Sequence, residues 1–181
     1  MEQILPGELA HSEKIAQMIR VNHAGEYGAK RIYAGQLAVL GKAPCGDMLR
    51  HMAEQEEMHL QGFSEMMVKR RVRPTALMPL WHVAGFAIGA ATALLGEKSA
   101  MACTVAVESV IDEHYAQQEE KLAGDESEIE LKQMVSQFRI EEQEHHDTAI
   151  DQGAEESPLY HLLTGVIKQG TRASIWLATR I

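Results

Sequence analysis

Four carboxylates and two imidazoles occupy positions where a helical bundle would place leucine. Glu56-x-x-His59 and Glu142-x-x-His145 repeat one unit, and a lone glutamate precedes each, Glu26 and Glu108, inside a helix-like stretch. Residues three apart on a helix lie one above the other on one face, so Glu and His at this spacing can grip one metal ion. The surrounding apolar residues identify that face. Leu49, Met52, Glu56, His59, Phe63 and Met66 step by 3, 4, 3, 4 and 3 residues, while Leu131, Val135, Phe138, Glu142, His145 and Ala149 step by 4, 3, 4, 3 and 4. These are core seams of a bundle. Glu108 is in line with Met101, Val105 and Tyr115, and Glu26 with Ile19, Tyr33 and Leu40.

A single glutamate in a Glu-rich helix is usually solvated. Glu57, Glu119, Glu120, Glu128, Glu130, Glu141 and Glu144 are read that way. The four seam glutamates differ because they recur as two half-sites. Glu26 to Glu56 is 30 residues and Glu108 to Glu142 is 34, as an approximate duplication of a helix pair would give. Buried carboxylates without cations are prohibitively costly, and two divalent metals would offset four of them. Oxygen-rich ligation with two imidazoles suits iron or manganese better than zinc or copper(I). This is the ligand set of ferritin-like dinuclear carboxylate proteins. His146 has Gln143 three residues before it and is read as an outer-shell or surface residue.

The expected fold is therefore all-α: a ferritin-like four-helix bundle with two additional apolar or amphipathic helices, in one domain over 1–181. Sparse aromatics (5%), ten Met and only five Pro agree with this. The helices are predicted at about Leu9–Leu40, Asp47–Val72 with Asp47 as N-cap, Leu80–Leu95, Ser99–Leu122, Ser127–Gln152, and from Ser157-Pro158 nearly to Ile181. Pro74 and Pro79 are read as breaks, and Ser157 as the last helix's N-cap. A net charge of −9 argues against a nucleic-acid partner. Cys45 and Cys103 form no metal or redox motif and are read as buried or idle thiols. The N-terminal MEQILPGELAHSEK carries no recognisable export signal.

Ala76 to Gly96 is a 21-residue run without formal charge, long enough to cross a bilayer. A crossing there would put the two half-sites on opposite sides of the membrane. The segment is read instead as a bundle crossover, with Gly85-x-x-x-Gly89 allowing close helix approach, or as a helix in the membrane interface. Membrane contact is assigned to Lys69, Arg70, Arg71 and Arg73, which could meet anionic headgroups, and to Leu80, Trp81, Phe86 and Trp176.

The run Arg20-Val21-Asn22-His23-Ala24-Gly25-Glu26-Tyr27-Gly28-Ala29, followed by Glu56-x-x-His59, Glu108-Ser109-Val110 with His114-Tyr115, and Glu142-x-x-His145-His146-Asp147, resembles the demethoxyubiquinone hydroxylases of ubiquinone biosynthesis. The resemblance spans nearly the whole chain. It implies a di-iron monooxygenase with Glu26, Glu56, His59, Glu108, Glu142 and His145 as metal ligands. Glu56, Glu108 and Glu142 are all candidates to bridge the ions. The implied substrates are a polyprenylated demethoxybenzoquinol and dioxygen. His114 and Tyr115 match a pair implicated in electron or proton delivery, with NADH as donor rather than bound prosthetic group. A peripheral position on a membrane is also implied, at the cytoplasmic face of a bacterial inner membrane or, for a processed chain, the mitochondrial matrix face. A homo-oligomer and ubiquinone-biosynthesis partner proteins are further partners consistent with the family. Because ions in such a centre share ligands, Glu108→Ala or Glu142→Ala is expected to empty both positions.

From the residues alone, Tyr115 lies ~10 Å from Glu108 along one helix face, and His114 points about 100° away. No G-x-G-x-x-G follows a strand, so no dinucleotide domain is built in. The rival readings are a ferritin-like ferroxidase, which the apolar Ala76–Gly96 run disfavours, a rubrerythrin-like peroxidase, which lacks its Cys-rich module here, and a membrane-attached assembly factor with structural metal.

Overall fold

A computed structural model of the chain describes residues 9–181. Residues 1–8, which hold the start of the segment searched for an export signal, lie outside the described residues. Six helices follow: α1 (His11–Leu40), α2 (Gly46–Arg70), α3 (Met78–Leu94), α4 (Glu97–Lys121), α5 (Ile129–Asp151) and α6 (Tyr160–Ala178). Short 3-10 turns at Glu126–Glu128 and Ala154–Glu156 lead into α5 and α6. There is no strand among the described residues. The architecture is the expected all-α, ferritin-like bundle. Helices α1 and α2 form one pair and α4 and α5 the other, and contacts between α1 and α4 and between α2 and α5 join the pairs. Helix α3 packs chiefly on α1, and α6 chiefly on α4.

The seams predicted from spacing are the ones that close. Leu49, Met52, Phe63, Met66, Leu131, Val135 and Ala149 are buried. One apolar cluster, including Ile19, Phe63 and Leu131, lies on one side of the glutamates along the bundle. A second, including Tyr33, Leu49, Met52 and Met101, lies on the other. The polar centre is thus closed between two apolar plugs. Cys45 and Cys103 are free and buried, and burial first of all pushes their thiols up to about 11 and about 12. Thiols held that far from ionisation are chemically idle.

Several helix boundaries differ from the sequence reading. Helix α2 begins at Gly46, so Asp47 lies in its first turn and pairs with Arg50 rather than capping. Pro79 does not break the chain but sits in the first turn of α3, where the missing N–H costs nothing. Ser157 is not the cap of α6, which starts at Tyr160. Its hydroxyl is 3.0 Å from that of Ser99 on α4, so a tertiary partner has taken the group that local pattern assigned to a cap. Glu126–Glu128 forms a 3-10 turn, leaving α5 to begin at Ile129.

Helix α3 touches α1 backbone to backbone. A Cβ on Gly85 would lie 2.9 Å from the Gly28 carbonyl oxygen, and one on Gly89 would collide with the Ile32 carbonyl. The close approach expected of Gly85-x-x-x-Gly89 is what the structure uses, with Gly35 answering from α1 against the backbone of α3. No helix among the described residues is long and apolar enough to cross a membrane. We expect Gly89→Ala to cost about 1–3 kcal/mol through overpacking, lowering Tm by several degrees. An unchanged melting curve would show that α3 is not seated this way.

Candidate metal centre

Each of the four bundle helices turns one part of the Glu/His pattern inward. Glu26 comes from α1, Glu56 and His59 from α2, Glu108 from α4, and Glu142 and His145 from α5. All six are at most 2% exposed. They form two overlapping groups in which one donor atom from each residue lies within 4.8 Å of the others: Glu26, Glu56, His59 and Glu142, and then Glu56, Glu108, Glu142 and His145. Glu56 and Glu142 belong to both groups, and Glu26 and Glu108 to one each. Sequence left three residues open as bridges, and two of them, Glu56 and Glu142, are common to both groups.

The chemistry of the cluster fits a pair of cations. Glu26 Oε2, both oxygens of Glu56, Glu108 Oε2, Glu142 Oε2 and His145 Nδ1 are buried without a hydrogen-bond partner. Leaving a buried polar atom unpaired costs about 1–3 kcal/mol, more for charged groups. Six such atoms converging on one place are what a metal site presents before its ions are counted. Only the imidazoles supply positive charge within the cluster. His59 Nδ1 lies 3.1 Å from Glu142 and 3.5 Å from Glu26, and His145 Nδ1 lies 3.2 Å from Glu56 and 3.4 Å from Glu142.

A family model described as "Ubiquinone biosynthesis protein COQ7" matches residues 13–178. The chain belongs to this family. COQ7 family relatives cover most of its length. It is 55% identical over 168 residues to the rat (Rattus norvegicus) "NADPH-dependent 3-demethoxyubiquinone 3-hydroxylase, mitochondrial", spanning 92% of this chain and 77% of the relative. It is 50% identical over 181 residues to the "3-demethoxyubiquinol 3-hydroxylase" of Rhodospirillum rubrum, spanning 99% and 84%. The Saccharomyces cerevisiae "5-demethoxyubiquinone hydroxylase, mitochondrial" is 42% identical over 187 residues. As a COQ7 family member at this identity, the chain is an oxidoreductase of the hydroxylase class.

Around the cluster, the chain shows a reciprocity that sequence reading missed. Tyr33, seven residues after Glu26, donates to Glu108 Oε1 at 2.9 Å. Tyr115, seven after Glu108, donates to Glu26. The antiparallel α1 and α4 therefore exchange Tyr–Glu bonds on either side of the centre. Burial, then the neighbouring carboxylates, pushes both phenols well above their usual range, which keeps them as neutral donors. The same exchange links α2 and α5. His59 Nε2 meets Glu141 at 2.6 Å, and His145 Nε2 meets Gln55 at 3.1 Å. In each case the residue just before one half's ligand glutamate supports the other half's histidine. The duplicated register was the signal that could have found all four.

Glu141 is therefore not the solvated glutamate of the sequence reading; by accepting a hydrogen bond from Nε2–H it turns His59's Nδ1 toward the cluster. Glu128 also departs from that reading. It is 6% exposed and pairs with Arg70 at 2.7 Å. His114 lies outside the cluster, half-buried, with Nε2 at 2.7 Å from Gln118 Nε2. Gln118 in turn exchanges side-chain hydrogen bonds with Asn22 at 2.6 and 2.8 Å. Burial, then Lys121, lowers His114 to about 4, so it is a neutral acceptor near pH 7. His146 is partly exposed beside Asp147. We expect Glu141→Gln to weaken metal binding by about 10–100-fold while leaving the fold intact. Unchanged affinity in a metal titration would show that Glu141 is only a surface partner of His59.

Proposed function

We propose that this COQ7 family member is a di-iron monooxygenase that hydroxylates the ring of a polyprenylated demethoxybenzoquinol with dioxygen. The observation that carries the reading is the pair of overlapping, fully buried Glu/His groups with their unpartnered oxygens. Glu26, Glu56, His59 and Glu142 would hold one iron, and Glu56, Glu108, Glu142 and His145 the other. Bound there, the irons supply redox equivalents and open coordination positions for dioxygen.

The chain's own residues do the rest. Tyr33 and Tyr115 fix the outer carboxylates by donating a hydrogen bond each, and Glu141 and Gln55 fix the two imidazole rings. An apolar cavity of about 270 Å³ lies between α1, α3 and α6. Gly25 and Val107, the chain neighbours of Glu26 and Glu108, line it, so its wall adjoins the centre. Trp81, Ile88 and Ile167 make it suitable for a prenyl tail, and bundle ligands commonly bind between helices. His114 and Tyr115 are proposed for electron or proton delivery: Tyr115 touches Glu26 directly, and His114 reaches the same helix interface through Gln118 and Asn22. The donor is a nicotinamide cofactor, NADH by the sequence resemblance; the rat relative's name specifies NADPH.

The enzyme is proposed to sit on a membrane face. Leu80, Val83 and Phe86 on α3 and Leu162, Val166 and Trp176 on α6 are exposed apolar side chains. Of the four basic residues assigned to headgroups, Lys69 and Arg70 pair with Glu130 and Glu128 instead. Arg71 and Arg73 stay exposed. Anionic vesicles should bind the chain, and Phe86→Asp with Trp176→Asp should weaken that binding by about tenfold or more. Co-sedimentation equal to that of the unsubstituted chain would remove these helices from the membrane contact.

The reaction is tested by anaerobic ferrous loading, followed by labelled dioxygen, a demethoxyquinol analogue and NADH or NADPH. A product heavier by one labelled oxygen is expected. Iron oxidation without labelled product would favour the ferroxidase reading.

A further inference from the structure

Helical glycines cost stability relative to alanine, and most in this chain have a visible reason. Gly35, Gly85 and Gly89 sit where a Cβ would strike the backbone of the facing helix, and a Cβ on Gly62 would press on Phe138. Gly96, Gly124 and Gly153 have positive φ. Gly25, Gly28, Gly165 and Gly170 have neither reason: they are within helices, and a Cβ on any of them would meet nothing within 4 Å. Three of those four, Gly25 and Gly28 on α1 and Gly170 on α6, line the apolar cavity beside the carboxylate centre. Gly165 does not line it.

We infer that Gly25, Gly28 and Gly170 set the bore of this cavity and so decide which prenyl chain enters it. The inference rests on the proposed reading of the cavity as the tail site. Helix α1 carries Gly25 and Gly28 one turn apart, beside Glu26, and α6 presents Gly170 to the same space. A side chain at these positions would project into the volume that a branched isoprenoid needs, because no protein atom is there to receive it. The helices forgo propensity at these points, as a site that places ligand access above stability does. Gly25 stands next to a proposed ligand, so Gly28 and Gly170 are the informative positions.

The test compares Gly28→Leu and Gly170→Leu with Gly165→Leu as control, on the whole chain after iron loading. Melting is followed together with displacement of a dansylated farnesyl probe by geraniol, farnesol and geranylgeraniol. All three variants should melt at or above the unsubstituted chain, by about 1–4 °C. Gly28→Leu and Gly170→Leu should lose affinity for geranylgeraniol by about tenfold or more, and less for geraniol, while Gly165→Leu should keep both. Equal affinities in all four proteins would overturn the inference and leave the tail site standing. A lowered Tm for Gly28→Leu or Gly170→Leu would overturn it too, by showing a packing reason for those glycines. Failure of the unsubstituted chain to bind any prenol would remove the tail reading itself, and the inference with it.

Discussion

Glu142→Ala should bind almost no iron, whereas Glu108→Ala should keep about half of the full complement of two per chain. The difference comes from sharing. Glu142 belongs to both donor groups and approaches both imidazoles, at 3.1 Å from His59 Nδ1 and 3.4 Å from His145 Nδ1. Glu108 belongs only to the group with His145. Spacing alone had made the two substitutions equivalent, because both glutamates lie on seams and neither could be ranked as a bridge. Iron per chain after anaerobic loading and desalting measures the outcome, with circular dichroism to show that the helices persist. Hydroxylation should vanish in both variants, since either loss dismantles the pair. Equal iron content in the two variants, or a full complement in Glu142→Ala, would refute the assignment of shared ligands.

Metal loading should raise Tm by about 10 °C, and the gain should grow with pH. A ligand present at a thousand times its Kd stabilises by about 4 kcal/mol, and each kcal/mol moves a chain of this size by about 2–4 °C. The pH dependence follows from how the cluster balances its charge without ions. Burial, then repulsion from Glu142, pushes Glu56 and Glu108 well above the usual 4.5. Their contribution to stability is complete below that value and is lost as pH rises through the folded-state value. Burial opposes charge on His59, but its bonds to Glu142 and Glu26 win and lift it from 6.5 to about 12. Its contribution is likewise present below 6.5 and lost above. Glu142 goes the other way: despite burial, the two imidazoles hold it at about 2, so its contribution is lost only as pH falls below the usual carboxylate range. The metal-free chain should therefore lose stability from about pH 5 to about pH 8. The loaded chain should not follow it, because metal binds the deprotonated ligands and its affinity rises with pH. Melting curves with iron and with EDTA across that range provide the check. Parallel curves would mean that the ions do not neutralise this cluster.

The same buried charge explains why the bundle is not built for stability alone. Glu56 and Glu142 stand on seams between Met52 and Phe63 on one helix and Phe138 and Ala149 on the other, where an apolar side chain would pack without desolvation cost. The centre is held by helices whose other seam positions are mostly apolar core, and its outer ring of Tyr33, Tyr115, Gln55 and Glu141 fixes Glu108, Glu26, His145 and His59 before any metal is counted.

The sequence by itself determined the all-α class, the helix count, the inward faces and the six clustered residues. These follow from periodicity: a seam is a local property of 3.6 residues per turn, and a glutamate within it must turn inward with its neighbours. The close seating of α3 was legible for the same reason, since glycines four apart leave one helix face bare. The tertiary structure alone decided which glutamates are shared, that Glu141 and Gln55 serve histidines on the opposite pair, that Tyr33 and Tyr115 cross between α1 and α4, and that Glu128 is buried against Arg70. It also took Ser157 from its expected cap to Ser99. Each of these depends on the register and distance at which two helices meet. That relation is set by how whole side-chain surfaces interlock, and no local spacing within one helix contains it.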